Sequence, residues 1–208
     1  MACTSKHRDY FNARAATWDD HITDETRSRL RRIIAALDIA PGSTVLDVGT
    51  GTGVLLPFLA EAVGPEGRIV AVDFAPAMLV RAREKNPWEN ITFIEADATS
   101  LPLPDATFDE VICNATFPHF TDKAAAVAEM ARVLKPGGRI VVCHPASREF
   151  INQLHRSLGG VVANDLIPDD ATMRAVFTHA GFESIEIEDR DDRHVLTARK
   201  KKNQEDPE

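Results

Sequence analysis

Apolar residues along the chain follow two alternating rhythms. Short runs rich in Val and Ile stand near Thr44 to Val48, Arg68 to Asp73, Ile91 to Glu95, Glu110 to Asn114 and Arg139 to Cys143, with two more near Ser184 to Glu188 and His194 to Ala198. Runs of this length, bounded by turn residues, predict strands. Between them the spacing changes to i, i+3, i+4, i+7, as in Leu30, Ile33, Ile34 and Leu37, in Val127, Met130, Ala131 and Leu134, and in Met173, Val176, Phe177 and Ala180. Each set makes one buried helix face. Gly181 supplies the left-handed residue that ends the third helix, and Pro136-Gly137-Gly138 stops the second and turns the chain into a strand. Strands alternating with helices predict an α/β fold, a doubly wound, seven-stranded, mostly parallel sheet with helices on both faces.

Composition narrows this picture. The 208 residues, 44% hydrophobic and 27% charged, suit one domain with a substantial core. That domain is expected over 1–200, with a helical amino-terminal segment at about 8–38, and the charge run from Arg199 to Glu208 is read as solvated, a flexible tail from 201 onward. Acidic residues outnumber basic ones 32 to 24, a net charge of -8. This opposes attraction to phosphate backbones and anionic lipid, so neither nucleic acid nor membrane is expected as a partner. Cys3, Cys113 and Cys143 are odd in number and too widely spaced for a CxxC pair, which fits a reducing compartment. With no signal-like apolar run at the amino terminus and no span of roughly 18 apolar residues, a cytoplasmic protein is expected.

The chemistry concentrates in Val45-Leu46-Asp47-Val48-Gly49-Thr50-Gly51-Thr52-Gly53-Val54-Leu55, a buried strand, a glycine turn and the start of a helix. This is where doubly wound sheets bind nucleotides, with a tight turn without a ligand as the alternative reading of the loop alone. The spacing is GxGxG; the third glycine of a dinucleotide fingerprint would fall at Val54, which disfavours NAD. Asp73 ends the next strand, where a carboxylate accepts both hydroxyls of a ribose. Asp97 follows the third strand, placed to accept from an exocyclic adenine amine. Three acids at the ends of three successive strands make a ligand crevice the better reading than three solvated caps.

In their order these motifs resemble the class I S-adenosylmethionine-dependent methyltransferases. The likeness runs from Leu30 to Val142 through Asp47 with its three glycines, Asp73-Phe74-Ala75-Pro76-Ala77-Met78-Leu79, Ala96-Asp97-Ala98, Phe108-Asp109-Glu110-Val111-Ile112 and Leu134-Lys135-Pro136-Gly137-Gly138. The resemblance implies methyl transfer from S-adenosylmethionine, with S-adenosylhomocysteine as product. It implies that Asp47, Gly49, Gly51 and Gly53 face the amino-acid part of the cofactor, Asp73 the ribose and Asp97 the adenine. Phe74, Met78 and Ala98 would flank the adenine ring, and Asn114 would contact the methionine moiety. The stretch Tyr10 to Asp19 resembles the lid of quinone-type and other small-molecule methyltransferases, with Trp18 where those enzymes often carry tyrosine; anchoring a helix on the core is the alternative role for its aromatic residues.

Methyl transfer requires an acceptor aligned about 3 Å from the methyl group, with water excluded, and a base only where the acceptor loses a proton. Candidates follow the fourth and fifth strands: His119, then His144, Ser147, Arg148, Glu149, Asn152 and His155. Arg148, Asn152 and His155 are spaced to share one helix face, with Phe150, Ile151 and Leu154 on another, so His119, Arg148 and His155 are the expected acceptor-side residues. The histidines lack HExxH-type spacing, so no metal is expected. Cys113 and Cys143 read as core, with a thiol or metalloid acceptor left open. A noncatalytic cofactor-binding module and an aminopropyl transferase are the alternative functions; Asp47 argues against the second, since it suits a ligand that keeps its ammonium group. Methylation at carbon, oxygen, nitrogen or sulfur stays open, as does monomer or homodimer.

Overall fold

The computed structural model describes residues 2–202, with side chains from residue 5 onward. The side chain of Cys3 and the expected tail from residue 203 lie outside the described residues. The chain opens with α1 (Ala2–Arg14), a 3-10 turn at Trp18–His21 and α2 (Asp24–Ala36). It continues through β1 (Thr44–Val48), α3 (Leu56–Val63), β2 (Arg68–Asp73), α4 (Pro76–Lys85), β3 (Ile91–Glu95), β4 (Phe108–Asn114) and α5 (Lys123–Val133). Then come β5 (Leu134–His144), α6 (Arg148–Leu158), α7 (Asp170–His179), β6 (Phe182–Arg190) and β7 (Arg193–Lys200).

The strands form one sheet in the order β3-β2-β1-β4-β5-β7-β6. β1 to β5 pair in parallel, and β7 runs antiparallel between β5 and β6. The fold is therefore the doubly wound, mostly parallel α/β arrangement that the sequence predicts. Alternate residues of the central strands serve opposite layers: Val111 and Cys113 of β4 and Ile140 and Val142 of β5 meet α5 and α7, while Ile112, Val141 and Cys143 meet α2 and α3. Burial on both faces is why these strands read as unbroken Val and Ile runs. Side chains cap the helices where the sequence provides them: Thr23 accepts from Thr26 N at 3.1 Å, Asp122 from Ala125 N at 2.9 Å and Asp169 from Thr172 N at 2.8 Å. The strand order reverses between β1 and β4, and a crevice opens there beyond the carboxyl ends of the strands.

β4, β6 and β7 extend one or two residues beyond the expected runs, and other boundaries differ with more consequence. β5 starts at Leu134, so Leu134 caps α5 rather than extending its face, and Pro136-Gly137-Gly138 lies inside the strand. The register with β4 shifts between Phe108 and Glu110, and in that irregularity the missing N–H of Pro136 removes no ladder bond. Helix α3 begins at Leu56, after the glycine turn has run through Leu55. Arg199 and Lys200 belong to β7, paired with Glu183 and Phe182, rather than to a solvated run. Among the described residues no helix is long and apolar enough to cross a membrane.

Candidate active site

β1 delivers the chain into Gly49-Thr50-Gly51-Thr52-Gly53, whose three glycines have φ of 72°, 54° and 79°. Left-handed backbone favours glycine at each, but the surroundings differ. A Cβ on Gly49 would come within 2.2 Å of the Thr116 methyl and one on Gly53 within 2.5 Å of the Asn86 amide, so close packing also selects glycine there. A Cβ on Gly51 would meet nothing within 4 Å, because Gly51 borders the crevice. This is where a bound ligand can approach the backbone.

The three strand-end acids occupy different depths. Asp73 lines the crevice; its two oxygens accept from Gly51 N and Ala75 N, both at 2.8 Å, and burial pushes its pKa up to about 6 despite these bonds. Each oxygen keeps a lone pair for a ribose hydroxyl. Asp97 also lines the crevice, with Oδ1 held by the amide and hydroxyl of Thr99 at 2.9 and 2.8 Å. Asp47 instead lies beneath the glycine turn, outside the crevice wall. Its oxygens and the Thr50 hydroxyl fall outside hydrogen-bond geometry with any described residue; burial, opposed somewhat by the nearby Thr50 hydroxyl and aided by the charge of Asp73, pushes the Asp47 pKa up to about 7. Phe74, Met78, Ala98 and Asn114 all border the same space, and the backbone leaves β4 there through Ala115 in the left-handed region, φ 52°. Counting the open solvent at its mouth, the crevice spans about 1170 Å³. An open glycine edge, a buried ribose acceptor and unpartnered acid oxygens under the loop fit an adenosyl ligand with a charged amino-acid end.

The amino-terminal segment roofs this space. Phe11 is buried, edge-on to Trp18 and Phe74 at 5.5 and 5.9 Å between ring centres, and Trp18 borders the crevice. Asn12 Oδ1 accepts from Ala77 N at 3.0 Å in the first turn of α4, and Asp19 accepts from the Thr52 hydroxyl of the glycine turn at 2.5 Å. The roof thus touches the glycine turn and the helix that follows Asp73.

On the acceptor side the expected set divides. His119 borders the crevice, its ring 5.0 Å from that of Phe11, and burial, partly offset by Asp165, pulls its pKa below the usual histidine value. Arg148, Asn152 and His155 do not face the crevice, which corrects the shared stripe. Arg148 pairs with Asp170 and, at 3.9 Å, Asp189. Asn152 is buried and bonds both backbone groups of Ile167, at 3.1 and 2.8 Å. His155 is also buried, with Nδ1 on the backbone carbonyl of Asp165 and its ring 4.9 Å from that of His119. A helix can bury polar side chains only where partners await them, and the loop before α7 supplies these. His144 is buried beside His194 without a partner, Ser147 caps α6 and Glu149 accepts from Gln153 on the surface. Cys113 and Cys143 are buried on opposite faces of the sheet, and burial pushes the Cys143 thiol up to about 12 and holds the Cys113 thiol well above its usual value.

Sequence reasoning missed Asp165 and His7. Asp165 accepts on one carboxylate oxygen from His119 Nδ1 at 2.7 Å and pairs through the same oxygen with His7 Nε2 at 2.9 Å. His7 borders the crevice. No local pattern marks either residue, since 158 positions separate them.

Residues 46–142 match the Methyltransferase domain family (Methyltransf_11). The chain is 35% identical over 172 residues to the ubiquinone/menaquinone biosynthesis C-methyltransferase UbiE of Escherichia coli O139:H28, covering 70% of this chain and 68% of that protein. Among solved structures, an S-adenosylmethionine-dependent methyltransferase from Aquifex aeolicus superposes with a TM-score of 0.73 at 22% identity, over 90% of this chain and 97% of the other. A methyltransferase of Haloferax volcanii, solved with its Trm112 activator, gives 0.76 at 23% identity, over 92% and 97%. These two carry the fold; the UbiE likeness, over two thirds of its length, carries the family. The chain thus belongs to the class I S-adenosylmethionine-dependent methyltransferases, resembling UbiE, and its activity is methyl transfer to a small-molecule acceptor.

Proposed function

We propose that the acceptor is a hydroxylated aromatic ring of the kind that oxidises to a quinone, and that it is methylated at carbon. The observation that carries this reading is continuity: the crevice holding Asp73 and Asp97 runs on to His119 between ring-bearing and apolar walls, Phe11, Trp18, Ile22, Leu30 and Phe120. A flat, partly polar ring suits such a slot, with its hydroxyl on the His119 imidazole. The likeness to a quinone-biosynthesis C-methyltransferase supports the same class.

Within this reading Asp73 accepts the ribose hydroxyls, Asp97 receives the adenine amine, and Phe74, Met78 and Ala98 sandwich the base. The edge of the glycine turn and Asn114 hold the methionine part, with Asp47 beneath them as a buried negative group. When bound, S-adenosylmethionine supplies an electrophilic methyl on a sulfonium. The chain's own work is to close Phe11 and Trp18 over the site, keep water out and orient the acceptor beside His119. His119 accepts a proton at Nε2, the ring nitrogen that Asp165 leaves available. The net charge of -8 supports a free small molecule rather than nucleic acid or membrane as substrate, for a cytoplasmic monomer or homodimer.

Labelled methyl transfer to a panel containing a short-chain 1,4-dihydroxynaphthalene, catechol, an aliphatic amine and a thiol tests this. Ring-methylated product by mass spectrometry is the expected outcome. Transfer only to the amine or thiol would overturn the acceptor class.

A further inference from the structure

His119 does not stand alone. Asp165, in the loop before α7, is nine-tenths buried and brings two imidazoles onto its Oδ2: His119 Nδ1 at 2.7 Å and His7 Nε2 at 2.9 Å. The backbone carbonyl of the same residue takes His155 Nδ1, so the loop is fixed from below by α6 while its carboxylate points to the crevice-lining histidines. The other charged group nearby is Lys123 of α5, whose amine bonds the carbonyls of Pro118 and Phe120, at 2.9 and 3.0 Å, on either side of His119.

The protonation states follow. Burial raises the Asp165 pKa, but the bonds and charges of His119 and His7 outweigh it and hold the carboxyl below the usual range. It is therefore ionised at neutral pH and accepts only. His119, pulled down by burial, is neutral there and has one ring proton, which a 2.7 Å contact with a carboxylate places on Nδ1.

Resting on the reading of the acceptor as a hydroxylated ring, we propose that Asp165 is a positioning residue that locks His119 in the Nδ1–H tautomer and so presents Nε2 to the acceptor hydroxyl. His7 ties the amino-terminal helix to the same oxygen, so the base is fully oriented only with that helix seated. In the step that follows, Nε2 takes the hydroxyl proton and the freed oxygen pair feeds the ring. A ring carbon then bonds the methyl as the methyl–sulfur bond breaks and sulfur keeps that pair. The carbon's own proton departs to water, and the proton on Nε2 returns to the oxygen. Atoms and charge balance with one proton released.

The test uses two-bond 1H–15N imidazole spectra of the whole protein labelled at histidine, with His119→Gln assigning the resonances. At neutral pH His119 is expected as the Nδ1–H tautomer, and in Asp165→Asn its titration should move at least about one pH unit lower, because the stabilising charge is gone. With a ring acceptor from the panel, Asp165→Asn should lower kcat/KM at least tenfold and move the acidic limb of its pH profile the same way. S-adenosylhomocysteine affinity should stay within about threefold, and Asp165→Glu should recover part of the rate. A Nε2–H tautomer in the wild type, or an unmoved titration in Asp165→Asn, would overturn the proposal. The tautomer is read on wild-type protein, so it decides the matter even if the variant fails to fold. If the panel is not turned over but the spectra behave as expected, the acceptor class falls and the dyad stands.

Discussion

Two of the strand-end carboxylates are held at odds with water, and each gives a measurable consequence. Asp73 has its pKa raised to about 6 by burial, and in the proposed role at the ribose a carboxylate accepts hydroxyls best when ionised. Cofactor affinity should therefore strengthen as pH rises through about 6, and Asp73→Asn should weaken S-adenosylhomocysteine binding roughly tenfold or more and flatten that dependence. Calorimetry across the range checks both; an affinity indifferent to pH and to the substitution would remove Asp73 from the ribose. Asp47, raised to about 7 with no protein partner, is a buried charge above that pH. Its raised pKa means that the folded chain holds a proton the unfolded chain has lost, so its contribution is favourable below about 4 and is lost as pH rises through about 7. Asp47→Asn should then stabilise the ligand-free protein more at alkaline pH than near pH 5, by on the order of 1 to 3 kcal/mol, read from denaturant midpoints at both. These acids were legible in the sequence because each terminates a strand whose apolar run marks its end. What the sequence did not reveal was their depth: Asp47 and Asp73 look alike in the chain, yet only Asp73 reaches the crevice.

Among the elements, α6 inverts the usual rule. Phe150 and Leu158 are 57% and 58% exposed, whereas Asn152 and His155 are buried. Its spacing was read correctly as two faces, but which face turns inward is set by the loop before α7, whose backbone groups need the polar side chains. Asn152→Ala should accordingly cost roughly 1–3 kcal/mol, because it leaves both backbone groups of Ile167 unpaired, while Leu158→Ala stays within about 0.5 kcal/mol. Equal losses in chemical denaturation would refute the inversion. The amino-terminal segment was legible as helical and aromatic, but its anchors, Asn12 on α4 and His7 on Asp165, are tertiary. Because those anchors are few, α1 should exchange its amides faster in the ligand-free protein and gain protection with S-adenosylhomocysteine, and His7→Gln should reduce that gain. Equal protection with and without ligand would make the helix a fixed part of the core.

At the scale of the whole molecule, β1, β2 and β3 lie where the apolar runs predict, and the crevice follows from the strand order, which reverses between β1 and β4. The crevice wall that carries Asp73 and Asp97 was therefore readable, since these residues sit at strand ends that local pattern locates. The wall around His119 was less so, because it is assembled from α1, the turn at His119 and the loop before α7, three segments with no shared periodicity. The measurement that bears most directly on the account is a crystal structure of the protein with S-adenosylhomocysteine and a hydroxylated ring acceptor. It should show the ribose hydroxyls on Asp73, the adenine between Phe74 and Ala98 with its amine toward Asp97, and the acceptor hydroxyl on His119 Nε2. An adenosyl group seated away from Asp73 and the glycine turn, or an acceptor bound outside the wall of Phe11 and His119, would contradict it.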